Sequence, residues 1–358
     1  MLNFTVGPVM MAPEILKIGG QPSPYFRNQE FSEVVFNNER LMLEFLHAPD
    51  NSRCVFLTAS GTGAMESCVI NLVRYDDKVL VINGGSFGQR FAELCVLHGK
   101  NYTEIKCEFG HTLRKEQLEP YAGKGYTLLL VNMCETSSGV LYDMDMISSF
   151  CREEKIVLIV DAVSSFMADK IDMSALGAAA VLTGSQKALA LHPGAAIVAL
   201  SPEGLSRVNE IPEECMYLSM RQALRNGERG QTPFTPAIQV LLEMNLRLRR
   251  IKAEGGITAE NQKIAVRAQE FREFIRGLPF EFVADRHSNS VTSLHPLNVS
   301  AKKVIEIMKN DYHIWLCPNG GEYADTVFRV GHIGYITEGG QNELLSAFDD
   351  MNQRGLLS

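Results

Sequence analysis

A lysine and an aspartate at the ends of two apolar runs carry the strongest chemical signal in this sequence. Lys187 ends the segment Gly184-Ser185-Gln186-Lys187, and Asp161 ends another apolar run 26 residues earlier. A lysine amine can form a Schiff base with the aldehyde of pyridoxal 5'-phosphate, and a carboxylate can pair with the protonated pyridine nitrogen, which keeps the ring electron-poor. The pair therefore predicts a pyridoxal 5'-phosphate site, with Lys187 and Asp161 facing opposite ends of the ring.

The elements that must position this pair are short apolar runs separated by helical patterns. The runs cover residues 54–58, 78–82, 126–131, 156–160, 179–183 and 195–200. Continuous hydrophobicity is typical of strands buried on both faces, and their alternation with helices predicts an α/β fold with a mostly parallel central sheet. Ligands of such sheets bind at the carboxyl ends of the strands, where Asp161 and Lys187 both fall.

A break in the helical pattern suggests two domains. A charged helical stretch over residues 237–253 stops at Gly255-Gly256, a dipeptide that interrupts helices. Beyond it, the pattern predicts a helix at 259–276, a strand at 280–284, a helix at 302–310 and a strand at 325–330. We therefore expect a large domain over residues 1–254, whose N-terminal segment contributes to the active site, and a smaller α+β domain over residues 255–358.

Composition excludes several classes of function. The net charge of −8 disfavours a nucleic-acid or anionic-membrane surface, because both require a basic footprint. The N-terminus lacks the basic and apolar regions of a signal peptide, and no apolar run approaches a membrane span. The 8 cysteines are scattered without zinc-like spacing, which predicts no metal site and favours free thiols in a reducing cytoplasm.

A glycine-rich segment supplies a candidate anion site. Residues 58–66, Thr-Ala-Ser-Gly-Thr-Gly-Ala-Met-Glu, follow a predicted strand and open a helix. Backbone N–H groups and the positive end of the helix dipole can therefore point at a phosphate, and Ser60 and Thr62 add hydroxyl donors. The segment matches neither the dinucleotide fingerprint nor a Walker loop.

Seven blocks of sequence together resemble the class V aminotransferases. The blocks cover residues 5–8, 60–66, 83–90, 135–140, 161–165, 184–187 and 328–334, and they run in order over nearly the whole chain. The nearest similarity is to the alanine or serine:glyoxylate (pyruvate) and 2-aminoethylphosphonate:pyruvate transaminases. The resemblance implies fold type I of the pyridoxal-phosphate enzymes and a homodimer with shared active sites. It also implies ping-pong transfer of an amino group from a small donor to pyruvate or glyoxylate.

The resemblance also implies roles for individual residues. Lys187 would be the Schiff-base lysine and the general base and acid, and Asp161 would hold the pyridinium. The remaining cofactor-binding residues would be Ser60, Gly61, Thr62 and Gln186 at the phosphate, Thr136 near the phenolic oxygen, Phe87 stacked on the ring, and Thr235 at the neighbouring subunit's phosphate. Thr232 stands where relatives often carry a tyrosine. Arg329 would bind the substrate α-carboxylate, with Arg27 as a second substrate-binding candidate.

Several alternatives remain open from the sequence. Lys187 could be a solvated lysine, Asp161 a turn cap, Arg329 an ion-pair partner and Phe87 an ordinary core residue. Cys317 lies 12 residues before Arg329 in the glycine-rich segment 315–321, where a loop cysteine would serve a desulfurase or lyase of the same fold. The Gly-Ser-Gln-Lys segment differs from the Ser-x-His-Lys type of the desulfurases. A non-catalytic regulatory module is a further alternative, although no basic helix-turn-helix stretch accompanies the fold. The sequence leaves the donor open among alanine, serine and 2-aminoethylphosphonate.

Overall fold

The computed structural model describes residues 1–358 and shows two principal β-sheets with helices packed around them. The strands are β1 (Leu2–Phe4), β2 (Arg53–Thr58), β3 (Val79–Asn83), β4 (Tyr102–Lys106), β5 (Leu128–Asn132), β6 (Cys134–Glu135), β7 (Val140–Leu141), β8 (Val157–Asp161), β9 (Ala178–Gly184), β10 (Ala195–Leu200), β11 (Phe280–Phe282), β12 (Val291–Pro296), β13 (Ile314–Pro318) and β14 (Phe328–Gly331).

Thirteen α-helices connect and cover these strands. They are α1 (Pro13–Gly19), α2 (Gln29–Phe45), α3 (Gly61–Leu72), α4 (Ser86–Leu97), α5 (Lys115–Leu118), α6 (Met144–Glu154), α7 (Met173–Leu176), α8 (Pro202–Glu210), α9 (Met220–Gly227), α10 (Ile238–Ala253), α11 (Gly256–Ile275), α12 (Ala301–Asp311) and α13 (Glu338–Gln353). Short 3₁₀ turns cover Glu119–Tyr121 and Gly321–Tyr323. No helix of the chain is both long enough and apolar enough to cross a membrane.

The larger sheet is mostly parallel, as the sequence predicts. Its seven strands lie in the order β2-β10-β9-β8-β5-β3-β4, and only β10 runs antiparallel to its neighbours. All six predicted apolar runs form strands of this sheet. The strand β4 was not predicted, because it lies at the edge of the sheet and its sequence, Tyr-Thr-Glu-Ile-Lys, is half polar.

Burial on both faces explains the continuous apolar runs. Along β3, Leu80 and Ile82 face one apolar cluster, whereas Val79 and Val81 face a second cluster on the opposite side. Helices α2 and α10 contribute to the first cluster, and α3 and α4 contribute to the second. The alternation of side chains along a strand therefore feeds two separate cores, and the sheet is the middle layer of a three-layer sandwich.

The smaller sheet combines C-terminal strands with the first strand of the chain. Its order is β1-β13-β14-β12-β11, and β1 pairs in parallel with β13. A third apolar cluster, which includes Phe4, Phe271 and Phe328, lies against it. The sequence predicted α11, β11, α12 and β14 but missed β12 and β13. The domain division at residues 254 and 255 stays a prediction; by sheet membership, residues 2–4 lie with the C-terminal part.

Polar residues lie at the carboxyl ends of the parallel strands, along one edge of the larger sheet. β5 and β8 pair in register so that Asn132 lies opposite Asp161, and β9 ends at Gly184. The turns that follow these strands therefore converge on one region. This is the edge at which the sequence places its candidate site.

Candidate active site

Asp161 is a buried carboxyl at the end of β8. Its side chain is 5% exposed, and one oxygen accepts a hydrogen bond of 2.7 Å from the backbone N–H of Val163. Burial raises the pKa of Asp161 to about 7, and the charge of Glu135 adds to this rise, whereas the Val163 N–H and the cation of Lys187 oppose it. The carboxyl therefore caps its turn and also lies close enough to Glu135, Lys187 and Arg90 to feel their charges.

Lys187 lies in the turn that follows β9. Ser185 fixes this turn, since its hydroxyl donates to the His192 carbonyl at 2.7 Å and accepts from the Ala195 N–H at 3.1 Å. The Lys187 Nζ donates a 2.7 Å hydrogen bond to the Val6 carbonyl. Burial and then the charge of Arg329 lower the pKa of Lys187, against a smaller opposing effect of Asp161. The amine is thus held toward its neutral, nucleophilic form.

A glycine in the N-terminal segment makes room for the lysine. Gly7 has a φ of 133°, and a Cβ atom there would lie 2.7 Å from Lys187 Cδ. Both the backbone conformation and the close approach exclude larger residues. The segment that supplies the Val6 carbonyl is therefore shaped around the lysine side chain.

Arg329 lies on β14, and one of its three nitrogens has no hydrogen-bond partner. Its Nη1 donates to the Thr136 carbonyl at 3.0 Å, and its Nη2 donates to the Pro318 carbonyl at 2.6 Å. The Nε atom is buried and has no hydrogen-bond partner. None of the ion pairs of the chain includes Arg329. An acceptor from outside the chain can therefore satisfy this guanidinium.

The glycine-rich segment forms the N-terminus of α3. Ser60 is the N-cap residue, but its side chain makes no capping bond. Gly61 packs so closely against Val163 that a Cβ atom would lie 2.7 Å from its Cγ2. Thr62 Oγ1 accepts a 3.0 Å hydrogen bond from Arg90. The first turn of α3 thus keeps backbone donors available beside the Asp161 turn.

Gln186 adds a second unsatisfied group near this helix terminus. Its Oε1 atom is buried without a hydrogen-bond partner. A Cβ atom on Gly184 would lie 3.0 Å from this oxygen and 3.4 Å from the backbone nitrogen of Gly61. A rotation of the amide would exchange this oxygen for N–H donors. A bound phosphate would accept from such donors.

Phe87 and Thr136 line the region between these ends. Phe87 lies in the first turn of α4, and the guanidinium of Arg90 stacks over its ring at 4.9 Å. Thr136 is buried, and its hydroxyl shares a 2.7 Å hydrogen bond with Ser164. The sequence assigned no role to Val163, Ser164, Arg90 or Gly7, although three of them fall inside the matching blocks and Arg90 closes one. Only their spatial contacts identify them.

Two predicted site residues, Arg27 and Thr235, are associated with the segment 231–236. Arg27 donates to Gln231 Oε1 and to the Pro233 carbonyl, both at 3.2 Å, and none of its hydrogen bonds reaches the lysine pocket. Thr232 donates to the Phe234 carbonyl at 2.7 Å, and Thr235 is exposed. The single chain therefore brings together Lys187, Asp161, Arg329, Thr136 and the α3 terminus, whereas Arg27 contacts the segment that carries Thr235.

Cys317 does not lie in the glycine-rich loop. It is part of β13, where it pairs with Arg329 across the antiparallel ladder, and its side chain is only partly exposed. Gly320 and Gly321 follow after the strand has ended. The expectation of a thiol carried by a flexible loop is therefore not met, because ladder pairing fixes the backbone of residue 317.

The residues present fit pyridoxal phosphate. The pocket offers a lysine of lowered pKa, a buried carboxyl, a helix N-terminus without a side-chain cap, and two buried atoms, Gln186 Oε1 and Arg329 Nε, that lack partners. Unpaired buried polar groups are costly in a finished structure. Their convergence here indicates that a polar, anionic ligand completes the site.

Comparisons with known proteins agree with this reading. The family model described as "Aminotransferase class-V" matches residues 20–315. A curated relative from Anabaena cylindrica named "Soluble hydrogenase 42 kDa subunit" is 30% identical over 87% of this chain and 82% of its own length. The "L-aspartate--glyoxylate aminotransferase" of Paracoccus denitrificans is 26% identical over 94% of this chain and 87% of its own length.

A solved structure shows the same fold. The structure described as an aspartate aminotransferase of subgroup IV from Thermus thermophilus superimposes with a TM-score of 0.92 at 26% identity, and the match covers 99% of both chains. The similarity therefore extends over both sheets.

Proposed function

The chain belongs to the class V aminotransferases and is thus a pyridoxal-phosphate-dependent enzyme, and from that premise we propose that it transfers an amino group from a small donor to pyruvate or glyoxylate by a ping-pong mechanism. The donor leaves as its carbonyl compound and the 2-oxo acid leaves as an amino acid. Candidate donors are alanine, serine and 2-aminoethylphosphonate, and the similar proteins add aspartate. The observation that carries the proposal is the unpartnered Arg329 Nε beside a lysine of lowered pKa.

The contacts around Asp161 and Lys187 suggest which residues would bind the cofactor. When bound, pyridoxal phosphate supplies an aldehyde that reacts with amines and a ring that withdraws electrons from the substrate Cα. Asp161 would hold the ring nitrogen, because its buried carboxyl faces the pocket. Ser60, Gly61, Thr62 and Gln186 would bind the phosphate through the N-terminus of α3. Thr136 would lie at the phenolic oxygen, and Phe87 would cover the ring.

Lys187 would carry the proton transfers. A lysine is a useful nucleophile and base only when it is neutral, and burial with a neighbouring cation favours that form here. The hydrogen bond to the Val6 carbonyl fixes the position of Nζ. From there the amine would remove the proton from the substrate Cα and hold it on Nζ for delivery to the coenzyme.

Arg329 would bind the α-carboxylate of carboxylate-bearing substrates. Since one N–H of each terminal nitrogen already serves a backbone carbonyl, the Nε–H and the second N–H of each terminal nitrogen remain without an acceptor. A carboxylate can then bridge Nε–H and the remaining N–H on the same side of the guanidinium. This would orient the Cα proton toward Lys187.

We extend the proposal to a homodimer in which residues 231–236 serve the second subunit. Thr235 is exposed, and its segment is tied to the end of β2 by a hydrogen bond of 3.1 Å from the Ala237 N–H to Thr58 Oγ1. Arg27 would then support this segment instead of binding substrate in its own pocket. The eight cysteines are all free, which supports a reducing compartment such as the cytoplasm.

A matrix of donors and acceptors tests the proposed reaction. Purified protein supplied with coenzyme should bind it with a visible absorption band that bleaches with an amino donor and returns with pyruvate or glyoxylate. Lys187→Ala should fold but lose turnover by roughly 10²-fold to 10⁴-fold or more, while Lys170→Ala, at an exposed lysine, should retain it. Normal turnover in Lys187→Ala refutes the assignment, and sulfide release from cysteine without amino transfer replaces it with the desulfurase.

A further inference from the structure

Glu135 is a fully buried carboxylate whose role the proposed reaction does not explain. Its side chain is 0% exposed. Its oxygens accept hydrogen bonds from the backbone N–H groups of Phe87, Gly88 and Ser137 at 3.2, 3.1 and 3.2 Å, from Asn132 Nδ2 at 3.1 Å, and from the Ser137 hydroxyl. Five donors converge on one acid, an arrangement that holds its carboxylate in a single orientation.

One side of this carboxylate closes the N-terminus of α4. The N-cap residue of α4 is Gly85, which has no side chain to accept from the first N–H groups of the helix. Glu135 accepts from the second and third residues, Phe87 and Gly88, and so takes the place of a capping side chain. A Cβ atom on Gly85 would lie 2.7 Å from Glu135 Cδ, so the glycine is what allows the acid to approach.

The other side of the carboxylate fixes the turn after β6. Glu135 holds the backbone and hydroxyl of Ser137. The Thr136 carbonyl accepts from Arg329 at 3.0 Å, and the Ser137 carbonyl accepts from Asn319 Nδ2 at 2.8 Å. The turn that Glu135 orients thus holds the guanidinium of Arg329 and the start of the loop that follows β13.

We propose that Glu135 is a positioning residue. Its buried carboxylate would fix both Phe87, which covers the coenzyme ring, and the turn that holds Arg329, which binds the substrate carboxylate. The inference rests on the proposed function for the meaning of those two groups. Its negative charge also lies near Asp161 and adds to the rise in the pKa of that carboxyl. Two negative charges at one end of the pocket would favour a protonated ring nitrogen.

Glu135→Gln tests the positioning role, because it keeps the shape but replaces one acceptor oxygen with an N–H₂ group. Hydrogen exchange of the peptide carrying residues 84–92, in protein without added coenzyme, should become about tenfold faster or more at Phe87 and Gly88. The dissociation constant of pyridoxal phosphate and the KM of the amino donor should each rise about tenfold. Glu39→Gln is the matched control, since Glu39 is a buried acid that accepts from Arg53 and the Cys54 N–H.

Two further variants separate the two sides of the carboxylate. Asn319→Ala should raise the KM several-fold and leave the exchange of residues 84–92 and the coenzyme affinity at wild-type values. Ser137→Ala should speed that exchange to a smaller degree than Glu135→Gln, and it decides the matter if Glu135→Gln does not fold. If the exchange rate and the coenzyme affinity both stay within twofold of wild type in Glu135→Gln and Ser137→Ala, the proposal is overturned. Hydrogen exchange is measured without coenzyme and therefore does not depend on transaminase activity. If the Glu135 variant exchanges faster but the wild-type protein transaminates no substrate, only the proposed function is refuted.

Discussion

Asp161 and Lys187 occupy one pocket in which burial opposes both of their charges. Burial raises the pKa of the carboxyl and lowers that of the amine, and each charge partly offsets the shift of the other. In the coenzyme-free protein burial therefore favours the neutral acid over the carboxylate and the neutral amine over the ammonium. A ring with a basic nitrogen and an aldehyde uses both forms, since the acid can give its proton to the nitrogen and the amine can attack the aldehyde.

The raised pKa of Asp161 gives a stability prediction for coenzyme-free protein. The folded-state pKa of about 7 exceeds the ordinary 3.8, so the stabilisation is complete below the unfolded pKa and is lost as the pH rises through about 7. Asp161→Asn does not titrate, so its free energy of unfolding should fall less between pH 5.5 and pH 8 than that of wild type, by at least ~1 kcal/mol. Urea unfolding at both pH values measures this.

A surface substitution provides the control for that measurement. Asp50→Asn, at an exposed aspartate, should keep the wild-type change with pH. Asp161→Asn should also bind pyridoxal phosphate more weakly, because an amide cannot pair with a protonated nitrogen. An unchanged pH dependence in Asp161→Asn would show that the carboxyl is already ionised in the folded protein at pH 5.5.

The sequence could predict Lys187 and Asp161 as candidates because their chemistry is tied to residue type, and Arg329 because the family resemblance assigns it. It could not predict the part played by Glu135, since an acid in a polar block usually lies at the surface. Only the convergence of five donors identifies it as buried and fixed in orientation. The role of Gly7 could not be predicted either, because it depends on a φ of 133° and on the close approach of the Lys187 side chain.

At the scale of secondary-structure elements, the sequence predicted the strands that are buried on both faces. Strands such as β5 and β8 are buried along their whole length, so their sequences are continuously apolar and easy to identify. β13 alternates buried and exposed positions in Ile-Trp-Leu-Cys-Pro, and β12 carries Thr, Ser and His. Neither strand shows a continuous apolar run, so the hydrophobic pattern could not identify them.

The segment 231–236 is held by Arg27, which the sequence offers as a second substrate-binding candidate. Arg27→Ala removes two hydrogen bonds to this segment. If Thr235 reaches the coenzyme phosphate of a second subunit, the dissociation constant of pyridoxal phosphate should rise roughly threefold to tenfold, while the KM of the amino donor stays within about twofold. Equilibrium dialysis with coenzyme and steady-state kinetics give the two values.

Arg329→Lys is the comparison for the Arg27 variant. A lysine lacks the fork that bridges a carboxylate, so this variant should raise the KM and leave coenzyme binding near its wild-type value. A raised KM with unchanged coenzyme affinity in Arg27→Ala would instead support Arg27 as a substrate-binding residue.

At the scale of the whole molecule, a buried polar network joins the two sheets. Asp169, which follows β8, accepts from the Ser288 hydroxyl at 2.5 Å and from the Asn289 N–H at 2.8 Å. Burial raises the pKa of Asp169 to about 6 and lowers that of nearby Arg272 to about 10. Buried charged groups are costly to keep without their partners, so this network should hold the two sheets in a fixed relation around Arg329.

The N-terminal strand makes a second connection across the molecule. β1 adds to the C-terminal sheet through β13, and two residues later the Val6 carbonyl holds the Lys187 amine. Phe4, at the end of β1, is fully buried in the cluster of that sheet. The position of the lysine therefore depends on packing in the other half of the chain.

Replacing Phe4 separates this connection from general stability. Phe4→Ala and Phe271→Ala each remove a fully buried aromatic side chain from the same cluster, and each should cost about 3–5 kcal/mol. Only Phe4→Ala should loosen the Val6 carbonyl and slow the appearance of the coenzyme absorption band in folded protein at pH 7. Stopped-flow mixing with pyridoxal phosphate, corrected for the folded fraction, measures the rate. Equal slowing in both variants would mean that β1 contributes only stability, whereas slowing confined to Phe4→Ala would show that the smaller sheet positions the lysine of the larger one.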